Sequence, residues 1–337
     1  MEIEKNVCAV VVTYNRKEML KTCIQKLKEQ EGADCDILVV DNASTDGTKE
    51  YIAPLVDGER VRYQRTVSNI GGAGGFRVGM EIAVLHGYDY LWIMDDDTYV
   101  YKDSLRTLLD ADEKLKGDYG FLSSIADWKD GTPCNMNRQR VSISKPISDY
   151  VADLVEIKMA TFVSFFIKSS IMRKVGLPIK EFFIWADDLE FSRRISKRYT
   201  CYAVNTSHVL HNMASNHKVG IEAESRDRLW RYKLLYRNEV YIYRHEGIKG
   251  MVYMLARVIL HCMRVIFSGN EKIEKLKVIL NSFMKGLSFN PKVEYVEDTA
   301  SQTLINVTGG GDLRVELRDK SEELILVMAV VEERRAA

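Results

Sequence analysis

The first hundred residues alternate between short apolar runs and segments whose apolar residues recur at helical spacing. Residues 7–13 and 37–41 are continuous apolar runs rich in valine, which is typical of strands covered on both faces. Residues 16–29 carry apolar side chains three and four positions apart, which predicts an amphipathic helix between these strands. Residues 90–94 predict a further strand. This alternation predicts a mostly parallel α/β sheet with right-handed crossovers.

The rest of the chain continues these patterns less regularly. It predicts helices over residues 79–86, 169–175, 226–244, 251–267 and 271–287, and strands over residues 61–64, 159–167 and 200–204. Short alternating segments flank the glycines at 309–311, and a hydrophobic run follows over residues 324–331. We therefore expect an α/β domain over residues 1–215, a helical region over 216–290 and a small β-rich tail over 291–337.

Three polar clusters lie at the carboxyl ends of predicted strands. They occupy residues 13–16, 41–48 and 95–97. In open α/β sheets, ligands bind beyond the carboxyl ends of the strands, so this coincidence predicts a ligand site at that edge.

The composition excludes some classes of protein. The chain has 337 residues, 46% of them hydrophobic, and its 48 Lys and Arg balance 48 Asp and Glu, so we expect no nucleic-acid partner. Its six cysteines form no zinc pattern and fit a reducing compartment. The charged N-terminus does not resemble a signal peptide, and no uncharged apolar run reaches the roughly 18 residues of a spanning helix, so we expect a cytoplasmic protein.

The sharpest chemical feature is the acidic triplet Asp95, Asp96 and Asp97. Adjacent carboxylates repel one another unless a positive charge lies among them, and alternate side chains of a strand, here Asp95 and Asp97, can share a face. Such hard oxygen ligands suit Mg²⁺ or Mn²⁺; the alternative is a solvated acidic turn. His208 and His211 follow a predicted strand, and from the residues alone each is either a metal ligand or a packed histidine.

Two further segments have two interpretations each. The segment NIGGAGGF over residues 69–76 has four glycines in five positions, which suits either phosphate contact or a strand–helix turn. It matches neither the dinucleotide fingerprint nor the Walker loop. The segment FFIWADDLEF over residues 182–191 sets acids among apolar groups, which suits a proton acceptor or simply a helix start.

Residues 251–267 are strongly apolar except for Arg257, His261 and Arg264. These three residues recur at steps of four and three, which forms a polar stripe along a helix. The pattern is typical of a helix lying in a bilayer surface. The alternative is a core helix or a contact between subunits of a homo-oligomer.

Five segments in this order resemble the inverting glycosyltransferase family 2 and its GT-A fold, the Rossmann-like fold of nucleotide-diphospho-sugar transferases. They are TYNR, VVDNASTDGT, NIGGAGGF, MDDD and WADDLEF, at residues 13–16, 39–48, 69–76, 94–97 and 185–191. The third and fifth most resemble the branch of bacterial galactofuranosyltransferases and rhamnosyltransferases. The resemblance covers residues 6 to about 245.

The resemblance implies roles for the matching residues. Asp95, Asp97 and His211, with His208 as the alternative histidine, would hold Mn²⁺ or Mg²⁺. Asp188 would be the general base, and Trp185 and Asp187 would face the acceptor. Tyr14 and Asp41 would hold the nucleotide base. The implied nucleotide-sugar-binding residues are Thr13, Tyr14, Asn15, Arg16, Asp41, Asn69, Gly71, Gly72, Gly74, Gly75 and Asp96.

The implied reaction moves a sugar from a nucleotide diphosphate to a hydroxyl group, with a metal at the leaving group. We expect UDP-galactofuranose as donor, with dTDP-rhamnose as the alternative, and a lipid-linked or polysaccharide acceptor at the inner face of the membrane. A nucleotidyltransferase and a non-catalytic sugar-nucleotide-binding module are the alternatives from other classes. Asp188 together with Asp95 and Asp97 argues against the binding module, because binding alone needs no base.

Overall fold

The computed structural model describes residues 6–216, 220–268 and 270–296, and the backbone of three strands over residues 303–308, 312–318 and 325–327. Within these residues, nine strands form one sheet. They are β1 (Val7–Thr13), β2 (Asp36–Asp41), β3 (Val61–Arg65), β4 (Tyr90–Asp95), β5 (Thr98–Val100), β6 (Phe121–Asp127), β7 (Leu154–Ile157), β8 (Phe165–Lys168) and β9 (Cys201–His211).

Helices cover both faces of the sheet, and three more follow it. The helices are α1 (Lys17–Lys28), α2 (Thr48–Ile52), α3 (Gly71–Leu85), α4 (Ser104–Lys114), α5 (Ser169–Val175), α6 (Asp187–Ser196), α7 (Leu229–Arg244), α8 (Gly247–Ser268) and α9 (Lys272–Ser288). Alternate residues of β1 enter different cores: Val11 packs in the core that contains Leu20 of α1, and Val10 in the core that contains Met80 of α3. This explains why β1 is apolar at every position.

The sheet is parallel in its first half and mixed beyond it. Its order is β3-β2-β1-β4-β8-β6-β9-β5, with β7 paired to β9. The strands β3, β2, β1 and β4 are parallel, as the alternating pattern predicts. Strand β8 is antiparallel to both β4 and β6. The prediction of a mostly parallel sheet therefore holds only for the first half. A parallel neighbour requires a crossover connection, and no helix lies among the described residues between β6 and β8, which run antiparallel.

Several predicted boundaries differ from the structure. Helix α3 begins at Gly71 rather than at residue 79, so the glycine-rich segment is the first part of the helix. The predicted strand over residues 159–167 is shorter in the structure, where β8 covers Phe165–Lys168. Strand β9 continues to His211, so both candidate histidines lie within the strand and not after it. Backbone pairing with β5, β6 and β7 extends this strand beyond its apolar beginning.

Helices α8 and α9 both pack against α7. Two residues of the polar stripe of α8 face α7: Arg257 forms an ion pair with Glu239 at 2.9 Å, and His261 Nδ1 lies 2.6 Å from the Tyr236 hydroxyl. The third, Arg264, is exposed, as are apolar side chains such as Ile259, which is 59% exposed. Arg257 and His261 are therefore on the protein side of the helix, opposite to the solvent-facing position expected for a helix in a bilayer surface.

Within the described ranges, one helix is long and apolar enough to cross a membrane. It covers Gly247–Phe267, with a mean hydropathy of 1.6 and 22% of its most apolar window buried. The sequence pattern had argued against a spanning segment. Length and composition alone do not distinguish a spanning helix from the core helix of a soluble protein.

The strands β10 (Thr303–Thr308), β11 (Asp312–Arg318) and β12 (Ile325–Val327) form a separate antiparallel sheet. The glycines at 309–311 and most of the hydrophobic run over 324–331 lie outside the described residues. Residues just before this sheet pack on the α/β domain: Val296 is buried in its core, and the Leu177 amide donates to the Glu294 carbonyl at 2.8 Å.

Glycine 79 allows α3 to approach the sheet closely, which generates a stability prediction. A Cβ atom at Gly79 would lie 2.4 Å from Val10 Cγ1 and 2.9 Å from Val40 Cγ2, whereas one at Gly72 would meet nothing within 4 Å. We expect Gly79→Ala to lower the free energy of unfolding by about 1 to 3 kcal/mol through overpacking. Gly72→Ala, the matched control, should raise it by up to about 1 kcal/mol because alanine favours helix. Urea unfolding measures both, and equal effects would contradict the packing role of Gly79.

Candidate active site

The centre of the site is the turn between β4 and β5. Strand β4 ends at Asp95, and β5 begins at Thr98, which pairs with His211 of the antiparallel strand β9. This register brings His211 Nε2 to 3.0 Å from Asp97 Oδ1, although the two residues are 114 positions apart. Ligand atoms of Asp95, Asp97 and His211 all lie within 4.8 Å of one another.

This donor set fits a divalent cation. Two carboxylates and one imidazole are ligands that Mn²⁺ and Mg²⁺ accept. His211 Nδ1 lies 2.8 Å from Asn137 Oδ1, a contact in which the ring nitrogen donates. That hydrogen bond turns Nε2 towards the carboxylates, as groups behind a metal ligand commonly do. Asn137 lies in the irregular segment between β6 and β7, where no sequence pattern identifies it.

The electrostatics of the three residues also favour a cation. Removal from water raises the pKa of the Asp95 carboxyl, and the neighbouring charge of Asp97 raises it further. Burial alone would raise the pKa of Asp97 as well, but its hydrogen bond with His211 and the charge of Arg16 hold that pKa below its ordinary value. Burial opposes protonation of His211, yet the contact with Asp97 raises its pKa to about 10. Positive charge at this position is therefore strongly stabilised.

His208 lies elsewhere. Its Nδ1 is 2.9 Å from Asp127 Oδ2, and its Nε2 is 2.8 Å from the Asn205 carbonyl. Side chains three positions apart in a strand point to opposite faces, which explains why only one of the two histidines reaches the acidic turn.

Asp96 binds protein groups rather than joining the carboxylate cluster. It accepts hydrogen bonds from Thr13 Oγ1 at 2.7 Å and from Arg16 at 3.2 Å. Arg16 also forms an ion pair with Asp97 at 2.7 Å. The loop after β1 is thus fastened to the acidic turn, and Tyr14 on that loop is 43% exposed.

Asp41 is fully buried at the end of β2. Its carboxylate accepts from the Ser44 amide at 2.8 Å, from the Tyr63 hydroxyl and from Arg65 at 3.4 Å. Asn15 joins the same region, since its Oδ1 accepts from the Thr45 amide at 2.7 Å. A contact between Asp41 and a nucleotide base remains a prediction, and it would require Tyr63 or Arg65 to move.

The glycine-rich segment is closely packed against the protein. Asn69 Oδ1 accepts from the Gly71 amide at 2.9 Å, which fixes the start of α3. Gly71 has a φ of 75°, and a Cβ there would lie 2.1 Å from the Phe183 carbonyl oxygen. A Cβ at Gly75 would lie 2.7 Å from Val12, and one at Gly74 would lie 2.9 Å from Ile70. Of these four glycines, only Gly72 faces open space. Gly75 packs against the sheet, Gly71 against the segment before α6 and Gly74 against Ile70, so three of them serve close packing, a role that the sequence interpretation did not include.

The segment before α6 has an unusual backbone. Phe183, Trp185 and Ala186 all have positive φ values, of 62°, 66° and 69°. Such residues cost about 1 to 3 kcal/mol each and persist where the surroundings hold them. Asn238 of α7, which is fully buried, donates to the carbonyls of Phe182, Ile184 and Trp185 at 3.0, 3.3 and 2.9 Å. It therefore holds the segment that carries the candidate base.

The two acids at the start of α6 have different surroundings. Burial and the adjacent charge of Asp188 raise the pKa of Asp187 well above its ordinary value, and Asp95 also contributes. Burial raises the pKa of Asp188 to about 6, with the Leu189 amide and the Arg140 charge acting in the opposite direction. Of the two acids, Asp188 therefore loses its proton more readily. Trp185 is partly buried and packs edge to face on Tyr232 at 5.2 Å.

Comparisons with known proteins identify the family of the chain. The family profile described as "Glycosyl transferase family 2" matches residues 8–176. The chain is 41% identical over 93 residues to galactofuranosyltransferase GlfT1 of Mycolicibacterium smegmatis, which covers 27% of this chain and 30% of the relative. It is 28% identical over 208 residues to GlfT1 of Mycobacterium tuberculosis, which covers 57% of this chain and 64% of the relative.

Two further similarities come from other proteins. Abequosyltransferase RfbV of Salmonella typhimurium is 36% identical over 102 residues, which is 29% of this chain and 30% of the relative. The crystal structure of GalNAc-T7 with UDP, GalNAc and Mn²⁺ superposes with a TM-score of 0.60 at 14% identity, over 95% of this chain and 66% of that one. This likeness concerns the fold alone, and it confirms the GT-A prediction.

Proposed function

The chain belongs to glycosyltransferase family 2, and we propose that it transfers a sugar from a nucleotide diphosphate to a hydroxyl group with inversion at the anomeric carbon. One observation carries the proposal: Asp95 of the cluster formed with Asp97 and His211 lies close enough to α6 for its charge to raise the pKa of Asp187, the neighbour of Asp188. The cluster suits the binding of a leaving diphosphate through a cation, and the acid pair suits the removal of a proton from an attacking hydroxyl. The chain spans less than two thirds of the GlfT1 relatives, so the activity of the whole protein is part of the proposal.

Asp188 is the proposed base. It takes the proton of the acceptor hydroxyl, whose oxygen then attacks the anomeric carbon. The bond from that carbon to the diphosphate oxygen breaks, and its electron pair leaves with the phosphate. Asp95, Asp97 and His211 would hold Mn²⁺ or Mg²⁺, which supplies positive charge for the leaving diphosphate. No carboxylic acid is needed at the leaving group, in contrast to a glycosidase.

UDP-galactofuranose is the proposed donor. The names of the GlfT1 relatives support this choice, as do the glycine-rich and WADDLEF segments. The alternative is dTDP-rhamnose. The proposed acceptor is a lipid-linked or polysaccharide glycan at the cytoplasmic face of the membrane. A nucleotidyltransferase is the alternative from another class, because it would also use clustered carboxylates.

Product analysis tests the reaction. We expect the protein, incubated with UDP-galactofuranose, Mn²⁺ and a galactan acceptor, to release UDP, with dTDP-rhamnose and UDP-glucose tested in parallel. Release of pyrophosphate from a nucleoside triphosphate would instead favour the nucleotidyltransferase. Transfer from UDP-glucose alone would contradict the proposed donor but not the reaction class.

The metal requirement is checked in the same assay. Excess chelator should abolish transfer, and Mn²⁺ or Mg²⁺ should restore it. His211→Gln should weaken Mn²⁺ binding measured by calorimetry, whereas His208→Gln should leave it unchanged because His208 pairs with Asp127 instead. Full transfer in chelator would contradict the metal requirement.

Asp188→Asn should lower kcat by about 100- to 10,000-fold, since the amide keeps the size of the side chain but cannot accept the proton. Donor affinity should be unchanged, because the base faces the acceptor. The wild-type rate should also fall below about pH 6, where a base with the raised pKa of Asp188 becomes protonated. Rate–pH profiles and donor calorimetry measure these effects. Asp187→Asn is the matched control; a normal Asp188→Asn enzyme beside an inactive Asp187→Asn enzyme would assign the base to Asp187.

We also propose that the outer face of α8 and α9 binds the membrane surface. Exposed apolar side chains lie on it, with lysines beside them: Ile248, Val252, Leu255, Ile259, Met263, Ile266 and Phe267 of α8, Ile273, Leu280 and Met284 of α9, and Lys249, Lys272, Lys277 and Lys285. This combination suits an anionic bilayer. A contact between identical subunits is the alternative.

The double variant Ile259→Asp/Ile266→Asp should release the protein from vesicles that contain anionic lipid. Placing carboxylates on the apolar face costs desolvation and adds repulsion from the lipid. Val67→Asp/Val151→Asp, which changes exposed residues outside these helices, should still sediment with the vesicles. A wild-type protein that stays in solution and dimerises in the ultracentrifuge would favour the subunit contact.

A further inference from the structure

Arg228 and Arg231 lie one helical turn apart at the start of α7, and the positive charge of Arg16 acts on Arg231. Arg16 is paired with Asp96 and Asp97, and Arg228 lies 3.6 Å from Glu224. Arg231 has a different environment: its Nε is buried and finds no hydrogen-bond partner among the described residues. Burial and the positive charge of Arg228 lower the pKa of Arg231, and Arg16 adds to this effect, whereas the acids Glu224 and Asp227 act in the opposite direction. A buried donor without a partner is costly, so its surroundings favour an anion that would supply the acceptor.

The contacts of its neighbour Trp230 connect Arg231 with the glycine-rich side of the site. Its guanidinium lies over the Trp230 ring, 5.5 Å from the centroid, and Trp230 packs edge to face on Phe183 at 6.2 Å. The Phe183 carbonyl accepts from the Ala73 amide at 3.2 Å, which ties this group to the start of α3. The nearby Arg16 is tied to the acidic turn by its ion pairs. Trp230 and Phe183 thus link Arg231 to the start of α3, and the Arg16 charge that acts on Arg231 belongs to a side chain paired with the acidic turn.

We propose that Arg231 binds the diphosphate of the nucleotide-sugar donor, with Arg16 and Arg228 supplying neighbouring positive charge. This inference rests on the proposed function. The planar guanidinium can donate two parallel hydrogen bonds to a phosphate, and Nε is one of the donors in that arrangement. The Trp230 ring limits the freedom of the guanidinium, so less is lost when a phosphate binds. A diphosphate could also bind both a cation held by the carboxylates and the arginines.

Calorimetry with UDP, UMP and uridine in the presence of Mn²⁺ tests the proposal, with the dTDP series in parallel. Arg231→Met should weaken diphosphate binding by about 10- to 100-fold, the loss typical of a hydrogen bond to a charged group, and should leave nucleoside binding unchanged. Arg231→Lys should have an intermediate effect, because it keeps the charge but not the fork. In turnover, the donor KM should rise while the acceptor KM stays the same.

Lys233→Met is the matched control, since Lys233 is exposed on the same helix two positions away. Thermal melting and Mn²⁺ binding should be unchanged in all three variants, which separates a binding loss from misfolding. Equal diphosphate affinity in Arg231→Met and wild type would overturn this inference alone. A loss confined to farnesyl diphosphate, a lipid-carrier analogue, would assign Arg231 to the acceptor and also overturn it. A wild type that binds neither UDP nor dTDP would overturn the proposed function as well.

Discussion

Strand β5 is only three residues long, yet its pairing with β9 brings together the ligands of the candidate cation site. Thr98 lies opposite His211, and the Asn212 amide donates to the Asp97 carbonyl at 2.9 Å. Without this register, the two carboxylates of the turn would have no imidazole beside them. The position of β9 depends in turn on its pairing with β6 and β7. The position of the His211 side chain therefore depends on several strands in the second half of the sheet.

The site concentrates groups that destabilise one another. Carboxylates of the acidic turn and of α6 are removed from water close to each other, and the described residues balance them only in part, through Arg16, His211 and Arg140. Three residues with positive φ precede α6, and Asn238 holds them through three carbonyls. Both the clustered carboxylates and the backbone with positive φ lie at the proposed site for a cation and a diphosphate. A cation there would offset the repulsion between the carboxylates.

Close approach of backbone segments brings together the start of α3, the segment before α6 and the start of α7. Gly71 allows the Phe183 carbonyl to contact the start of α3, and Gly75 allows Asn42 and Val12 to pack beneath the helix. The segment from residue 183 to α6 is thereby held between α3 and α7. Trp230 and Arg231 at the start of α7 extend the same contact towards the acidic turn.

The sequence by itself determined the first four strands, the clusters at their carboxyl ends and the acids of α6, because local periodicity and strand ends are written in neighbouring residues. It also carried five motifs whose order identifies the family. Only the tertiary structure brings His211, and not His208, to the acidic turn, since this depends on a strand register between distant segments. The same holds for the mixed half of the sheet, the inward-facing Arg257 and His261 of α8, and the positions of Asn137, Asn238 and Arg231. Their partners lie far along the chain, and no local pattern records which distant groups a buried polar side chain will meet.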